Sequence, residues 1–222
     1  MSAARSLLCA ATLAVGALVA TGAQAGAIFV DNASFETLNP TADHLGCNGP
    51  DCFFTIDSIP GWSNSGDSGQ FSHASPAYFN FIPDGVTVAY SNNNPISQTV
   101  GVTAQAGATY TLMVDFGFRS DTGDLAGMQL VVGGHAVTGT GLALPNSHDW
   151  STYTASYTAN ADDAGKAIRI VLDTTGAQGD WDNVRLSSTA VPEPASWALM
   201  LTGFFGLGGA LRRRRRAASA AA

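Results

Sequence analysis

The stretch Trp-Asp-Asn-Val-Arg-Leu at 181–186 puts an acid where an acid is costly. Side chains alternate between the two faces of a strand, so Asp182 shares a face with Val184 and Leu186, and Trp181, Asn183 and Arg185 share the other. A carboxylate on an apolar face needs a hydrogen bond, a charge partner or a metal. Backbone N–H groups near the strand start would serve. So would calcium, which takes roughly six to eight oxygen ligands and accepts backbone carbonyls among them.

The aromatic residues offer a different chemistry. Trp62 follows the Pro60-Gly61 turn, Trp150 opens a strand pattern, and Tyr78, Phe79 and Phe81 crowd into PAYFNF. Flat rings flanked by Asp, Asn and Arg can stack on a sugar and hydrogen-bond its hydroxyls. The same rings also serve core or rim packing. Trp62 is expected to pack its own loop. Trp181 is expected to face outward or to line a groove. Trp181, Trp62, Trp150 and Tyr78 are therefore the candidate carbohydrate contacts.

Catalytic constellations are poor. There is no G-x-S-x-G elbow and no H-E-x-x-H. His44, His73, His135 and His148 are scattered through polar stretches. A glycosidase needs two carboxylates at a set separation, and sequence spacing selects no pair here. The expectation is a protein that is not an enzyme.

Charge and export chemistry narrow the class. Residues 1–25 read as a secretory signal helix: Arg5, an apolar run, then Ala23-Gln24-Ala25 as a cleavage site. The remaining core, 26–190, suits one domain. It sets Arg119, Lys166, Arg169 and Arg185 against 16 acids, all of the chain's 17 except Glu193, for a net −12. Nucleic acid, which needs a basic footprint, is excluded as a partner. Cys9 lies in the signal, which leaves Cys47 and Cys52 in CNGPDC as an expected disulfide in an oxidising compartment. A zinc site would need more ligands than His44 adds.

The core reads as strands. Tyr110, Leu112, Val114, Phe116 and Phe118 alternate with more polar residues, and similar periods of two run through 86–90, 96–102, 128–132, 153–157, 168–172 and 181–186. Pro83-Asp84-Gly85, Asn92-Asn93-Asn94-Pro95 and Gly133-Gly134 punctuate them. No stretch holds a helical period over three turns. The fold class is an all-β, jelly-roll β-sandwich. Residues 33–69 look like a long irregular excursion pinned by the disulfide.

The ordered set DNASFET, IPGW, ISQTV, AGATYTLMVDFGFR, DWSTYTASYTA and GDWDNVRLSS resembles the galactose-binding-domain-like, carbohydrate-binding-module-like jelly rolls of secreted bacterial proteins. The resemblance covers about 28–187. It implies glycan binding, and a structural calcium joining the first and last strands through Glu36 and Asp182.

The C-terminus, 191–216, resembles the PEP-CTERM sorting signal. Val191, Pro192, Glu193 and Pro194 form the motif, 195–211 a single transmembrane helix, and Arg212, Arg213, Arg214, Arg215 and Arg216 a cytoplasmic stop, with 217–222 a disordered tail. The 17-residue run would reach about 25 Å as a helix, short of a hydrocarbon core of about 30 Å. The resemblance implies an exosortase as processing partner, a transient inner-membrane stage with the core in the periplasm, and release to the cell surface or an exopolysaccharide matrix. Exopolysaccharide is the expected glycan partner, a structural matrix role without a specific ligand is the alternative, and a polysaccharide-modifying enzyme is a distant third.

Overall fold

The computed structural model describes residues 25–47, 51–64, 66–72, 77–119, 121, 126–145, 147–174, 178–189, 200–209 and 212. Residues 1–24, the sorting motif 191–194, Arg213 to Arg216 and the tail 217–222 lie outside the described residues.

The two-residue periods become strands: β1 (Ala25–Ile28), β2 (Leu45–Gly46), β3 (Phe53–Phe54), β4 (Ser68–Ser72), β5 (Thr87–Asn92), β6 (Ile96–Thr103), β7 (Thr109–Gly117), β8 (Ala126–Val132), β9 (His135–Thr138), β10 (Trp150–Thr158), β11 (Ala167–Thr174) and β12 (Gln178–Thr189). They form an antiparallel sandwich. The large sheet runs β10-β7-β12-β5-β4-β3-β2, with β1 also paired to β12, and the small sheet runs β6-β11-β8-β9. The all-β sandwich read from the alternation is the observed architecture.

Between the sheets lies the main core. Leu112, Val114 and Phe116 of β7 meet Met128, Leu130 and Val132 of β8 and Ile168, Ile170 and Leu172 of β11, all essentially without solvent exposure. Each such side chain contributes about 1.5–3 kcal/mol of burial. The closed face explains why these strands alternate so cleanly: one side is apolar core and the other meets water.

Two features depart from the sequence reading. The excursion over 33–69 is partly ordered, because β2 and β3 pair and β3 continues onto β4, which lengthens the large sheet. The expected Cys47–Cys52 disulfide closes that hairpin, with Cα atoms 5.2 Å apart. At the other end, 200–209 are helical. Among the described residues no helix is long and apolar enough to cross a membrane. Ten residues reach only about 15 Å. The expected span over 195–211 is therefore not found in that helix, and its remaining residues lie outside the described set.

The third departure is in β12. Its register against β7 shifts between Asp182 and Arg185, and Asn183 sits at φ 50°. This is a β-bulge: an extra residue on one strand, at a left-handed position that Asn tolerates well. The bulge breaks the alternation on which the sequence reading relied. Trp181 lies on the core side together with Val184 and Leu186, while Asp182 pairs with Asp115 on the opposite, outer face.

Candidate functional site: an aromatic cleft on the outer face of the large sheet

The centre of the large sheet is buried on both sides. In β5, Thr87, Val88, Ala89, Tyr90 and Ser91 are all buried. Ala89 belongs to the main core, whereas Val88 and Tyr90 join Phe71 and Phe79 in a second apolar cluster on the outer face. Residues 77–86 supply its cover. Phe79 lies 4.6 Å from Trp150 between ring centroids, and Trp150 Nε1 donates to the Phe81 carbonyl at 2.7 Å. Gly117 makes room for this layer, since a Cβ there would stand 2.5 Å from Phe79 Cε1.

A cleft of about 260 Å³ opens beside that cover, lined by Cys47, Phe54, Asp67, Phe71, Tyr78, Tyr90, Asn92, Arg119 and Gln178. The rings meet edge to face. Phe71 makes such contacts with Tyr78 at 5.7 Å and Tyr90 at 6.0 Å, and Phe54 makes one with Tyr90 at 6.3 Å. Arg119 is largely buried, with its guanidinium 4.2 Å from the Tyr78 ring centroid. It holds Asp121 by two bonds, Nε to Oδ1 at 2.8 Å and Nη2 to Oδ2 at 2.7 Å. The Arg119 bond keeps the Asp121 carboxyl below its ordinary range. Burial works against the Arg119 charge. The Asp121 hydrogen bond and the Asp180 and Asp121 charges outweigh it and raise its pKa.

Asp180 lies on this face of the sheet. Its position pairs with Tyr90 on β5, as Gln178 pairs with Asn92. It is fully buried, and Gln178 Nε2 donates to its Oδ1 at 2.8 Å. The Tyr90 hydroxyl donates to the Thr55 carbonyl at 2.7 Å. Burial first, then the charges of Asp67, Asp57 and Asp180, push the Tyr90 phenol up to about 12.

The acids expected to hold calcium come together at the start of β5. Asp182 Oδ2 accepts from Asp84 N at 2.8 Å and Oδ1 from Asn183 N at 2.7 Å. Glu36 Oε1 accepts from Val86 N at 2.9 Å and Thr87 N at 2.7 Å. Burial pushes the Asp182 carboxyl up to about 8. The two N–H bonds oppose this, and the Asp84 and Glu36 charges add to it. Among the described residues no group of three or more His, Cys, Asp and Glu has the arrangement of a metal centre. As placed, both carboxylates are satisfied by backbone N–H groups.

The candidate carbohydrate contacts separate into two sets. Tyr78 lines the cleft, and Trp150 packs beside it in the outer layer. Trp62 packs against Phe35 at 5.3 Å, and its Nε1 donates to the Asp31 carbonyl at 3.1 Å. Trp181, expected on an outward or groove face, is instead fully buried in the main core, with Nε1 donating to the Gly127 carbonyl at 3.2 Å. The bulge at Asn183 is the reason. Sequence reading passed over Phe54, Phe71, Tyr90, Arg119 and Asp180. The available signal was the run of apolar residues on both faces of 87–91, which marks a strand covered on both sides.

This architecture defines a jelly-roll β-sandwich with an aromatic cleft outside its larger sheet. The HpiC1-like family, described as HpiC1 cyclase, matches residues 26–187, and the chain belongs to that family. That membership corrects the expectation of a protein without catalytic activity, because it points to a cyclase. A Stig cyclase, Fisc from Fischerella sp. TAU, solved with (3Z)-3-(1-methyl-2-pyrrolidinylidene)-3H-indole, has the same fold. It is 24% identical with a TM-score of 0.61, and the match covers 76% of this chain and 100% of that one. Carbohydrate-binding modules are also structural neighbours. TmCBM61, solved with β-1,4-galactotriose, is 16% identical at a TM-score of 0.44, covering 72% of this chain and 97% of that one. A CBM4 domain is 21% identical at 0.40, covering 72% and 100%. No curated protein matches the sequence.

Proposed function

We propose that the outer-face cleft is the reaction site of a cyclase, closing a ring within a small, unsaturated, ring-bearing molecule. The observation that carries this reading is a buried carboxyl, Asp180, paired in register with Tyr90 and held by Gln178, two residues that line the cleft, in a chain of the cyclase family. Ring closure of this kind needs three things: a folded substrate, exclusion of water and a group that moves a proton. Phe54, Phe71, Tyr78 and Tyr90 fold the substrate and exclude water, and their π faces stabilise positive charge as it develops. Asp180 gives the proton that starts the closure and takes one back when it ends, with Gln178 fixing its carboxyl. Closure by internal addition leaves composition unchanged, so the test is chromatographic: unsaturated indoles incubated with the full chain should yield a product of identical mass and new retention. Asp180→Asn should abolish that product while Tyr78→Phe retains it. Full turnover by Asp180→Asn would refute the assignment.

A glycan is the second reading for the same cleft, favoured by Asn92, Gln178 and Asp67 standing among the stacking rings. Saturable competition between exopolysaccharide fragments and the indole would support it. Failure of any glycan to bind, with and without calcium, would end it.

We further propose export through the signal segment 1–25 and exosortase-type sorting through 191–216, with the sandwich in the periplasm and then at the cell surface. The support is the order of motif, apolar run and arginines in the sequence. Mass spectrometry of the mature C-terminus should show a cut near Pro192 to Pro194, and an intact Arg212 to Arg216 in the extracellular form would exclude removal. Structural calcium at Glu36 and Asp182 belongs to the same reading, supported by the two carboxylates converging on the adjoining backbone of residues 84–87, where Asp182 is buried.

A further inference from the structure

Arg119 reaches well away from its own strand. Two residues before it, Gly117 closes β7 and pairs in register with Asp180 of β12. Phe118 turns into the main core with its backbone pinned on both sides: Phe118 N donates to the Asp149 carbonyl at 3.0 Å, and His148 N to the Phe118 carbonyl at 2.9 Å. Arg119 therefore starts on the outer face, beyond the β7 end. Its guanidinium nevertheless lies 4.2 Å from the Tyr78 ring centroid and 5.8 Å from that of Phe71. Phe71 belongs to β4, and β12 and β5 stand between β4 and β7. At the usual strand spacing that is roughly 14 Å of sheet. Arg119 and Phe71 bridge it between them, across the strands that carry Asp180 and Tyr90.

This crossing accounts for a mismatch in the site. Asp180 shares the cleft's face of the sheet, yet it is fully buried and is not one of the residues that line the cleft. Arg119 does line it. Burial opposes the Arg119 charge, the Asp121 hydrogen bond supports it, and the Asp180 charge supports it next, so the guanidinium and the buried carboxyl feel each other.

The hold on Arg119 also leaves it free to turn. Asp121 grips its fork by the bonds at 2.8 and 2.7 Å, and the Asp121 side chain is 55% exposed against 11% for Arg119. The pair can swing outward as one neutral unit with both bonds kept. What it gives up is the contact with two rings, which a ligand ring restores by its own stacking.

We propose that Arg119 screens Asp180 from the cleft, and that a planar aromatic ligand takes the guanidinium's place on Tyr78, turning the Arg119–Asp121 pair outward and opening the way to the carboxyl. Arg119 is thus a positioning residue that makes access to the acid conditional on ring binding, and a molecule without a flat face leaves the screen shut. The proposal rests on the cleft being the reaction site, and it assigns the selectivity of that site to one side chain.

The test labels carboxyls. The full chain in non-ionic detergent is treated with a water-soluble carbodiimide and glycine ethyl ester, and the rate at each acid is read by peptide mass spectrometry. In the wild type the exposed Asp67 should label while Asp180 and Asp182, both fully buried, stay protected. Arg119→Ala should speed Asp180 labelling by on the order of tenfold while Asp182 stays protected. Asp121→Asn, which keeps the arginine and loosens its hold, should speed it less. Indole, titrated calorimetrically, should bind Arg119→Ala about threefold tighter than the wild type, because no screen has to be displaced. Asp180 protection unchanged in both variants, or indole bound more weakly by Arg119→Ala, would overturn the proposal. If Arg119→Ala exposes Asp182 as well, Asp121→Asn decides by the same criterion. Turnover of indoles that Asp180→Asn abolishes, with labelling unchanged, would leave the cleft as the reaction site and overturn the screen alone. Selective labelling of Asp180 without turnover would support the screen and overturn the reaction.

Discussion

Asp180 and Tyr90 occupy directly paired positions of β12 and β5, so the buried carboxyl and the phenol ring stand side by side on the outer face of the large sheet. Their neighbourhood couples the fold to the site. The strand that carries Trp181 into the core also carries a buried acid on the sheet face where the cleft lies.

The first consequence concerns alkaline pH. The Tyr90 phenol titrates at about 12 in the folded chain, against 10.0 ordinarily. A raised folded pKa favours the protonated native state, so this contribution is intact below pH 10.0 and is lost as pH climbs toward 12. Denaturation followed by circular dichroism should show stability declining across that window. Tyr90→Phe, which removes the titrating group, should flatten the decline. An equally steep decline in the variant would exclude Tyr90 as its source.

Asp182 produces a slope at lower pH. With its carboxyl at about 8 when folded and 3.8 ordinarily, its stabilising contribution is complete below pH 3.8 and is lost as pH rises through 8. In chelator, melting temperature should fall over this interval, and Asp182→Asn should reduce the fall. Added calcium should restore the wild type at pH 8 and leave Asp182→Ala unaffected. No response of the wild type to chelator or calcium would remove calcium from the account.

Gly117 is a steric test of the outer layer. An added methyl would stand 2.5 Å from Phe79 Cε1 and 3.0 Å from Trp150 Cη2. Gly117→Ala should cost about 1–3 kcal/mol in denaturant titration and weaken ring binding in the cleft. A neutral substitution would show that the cover over β7 yields freely.

Trp181 distinguishes core from ligand contact. Its fully buried indole predicts a loss of about 3–5 kcal/mol for Trp181→Ala. Trp181→Phe, which keeps a ring in the core, should recover most of that stability and leave ring binding intact. Loss of ligand affinity without loss of stability would return Trp181 to the site.

Much of the fold was legible because its strongest signals are local. β7 alternates over nine residues, and one face of it is the core. The Cys47–Cys52 bridge followed from two cysteines in an expected export context. The cleft was not legible for two physical reasons. First, Phe71, Tyr90 and Arg119 come from separated segments, and only pairing of β4 with β5, of β5 with β12 and of β12 with β7 brings their neighbourhood together. Second, the period of two at 181–186 is interrupted by one residue at φ 50°, and Asn183 alone does not announce a bulge. Tyr78 was found because it sits in an aromatic cluster, yet nothing in that cluster separated the ring that lines the cleft from Phe79, which is fully buried in the outer layer.

The bulge splits β12 into two phases. Upstream of Asn183 odd-numbered residues point inward and even-numbered ones outward; downstream the parity is reversed, with Val184 and Leu186 inward. Removing Asn183 would rejoin the two phases without moving the core, because Trp181, Val184 and Leu186 would then alternate inward and Asp180, Asp182 and Arg185 outward. What such a deletion would take away lies on the outer face: the bond from Asn183 Nδ2 to Asp115 Oδ2 and the one from Asn183 N to Asp182 Oδ1. The extra residue is therefore surplus to the sandwich and serves the acids of the outer face, so a chain lacking it should keep the fold and loosen its hold on Asp182 and Asp115.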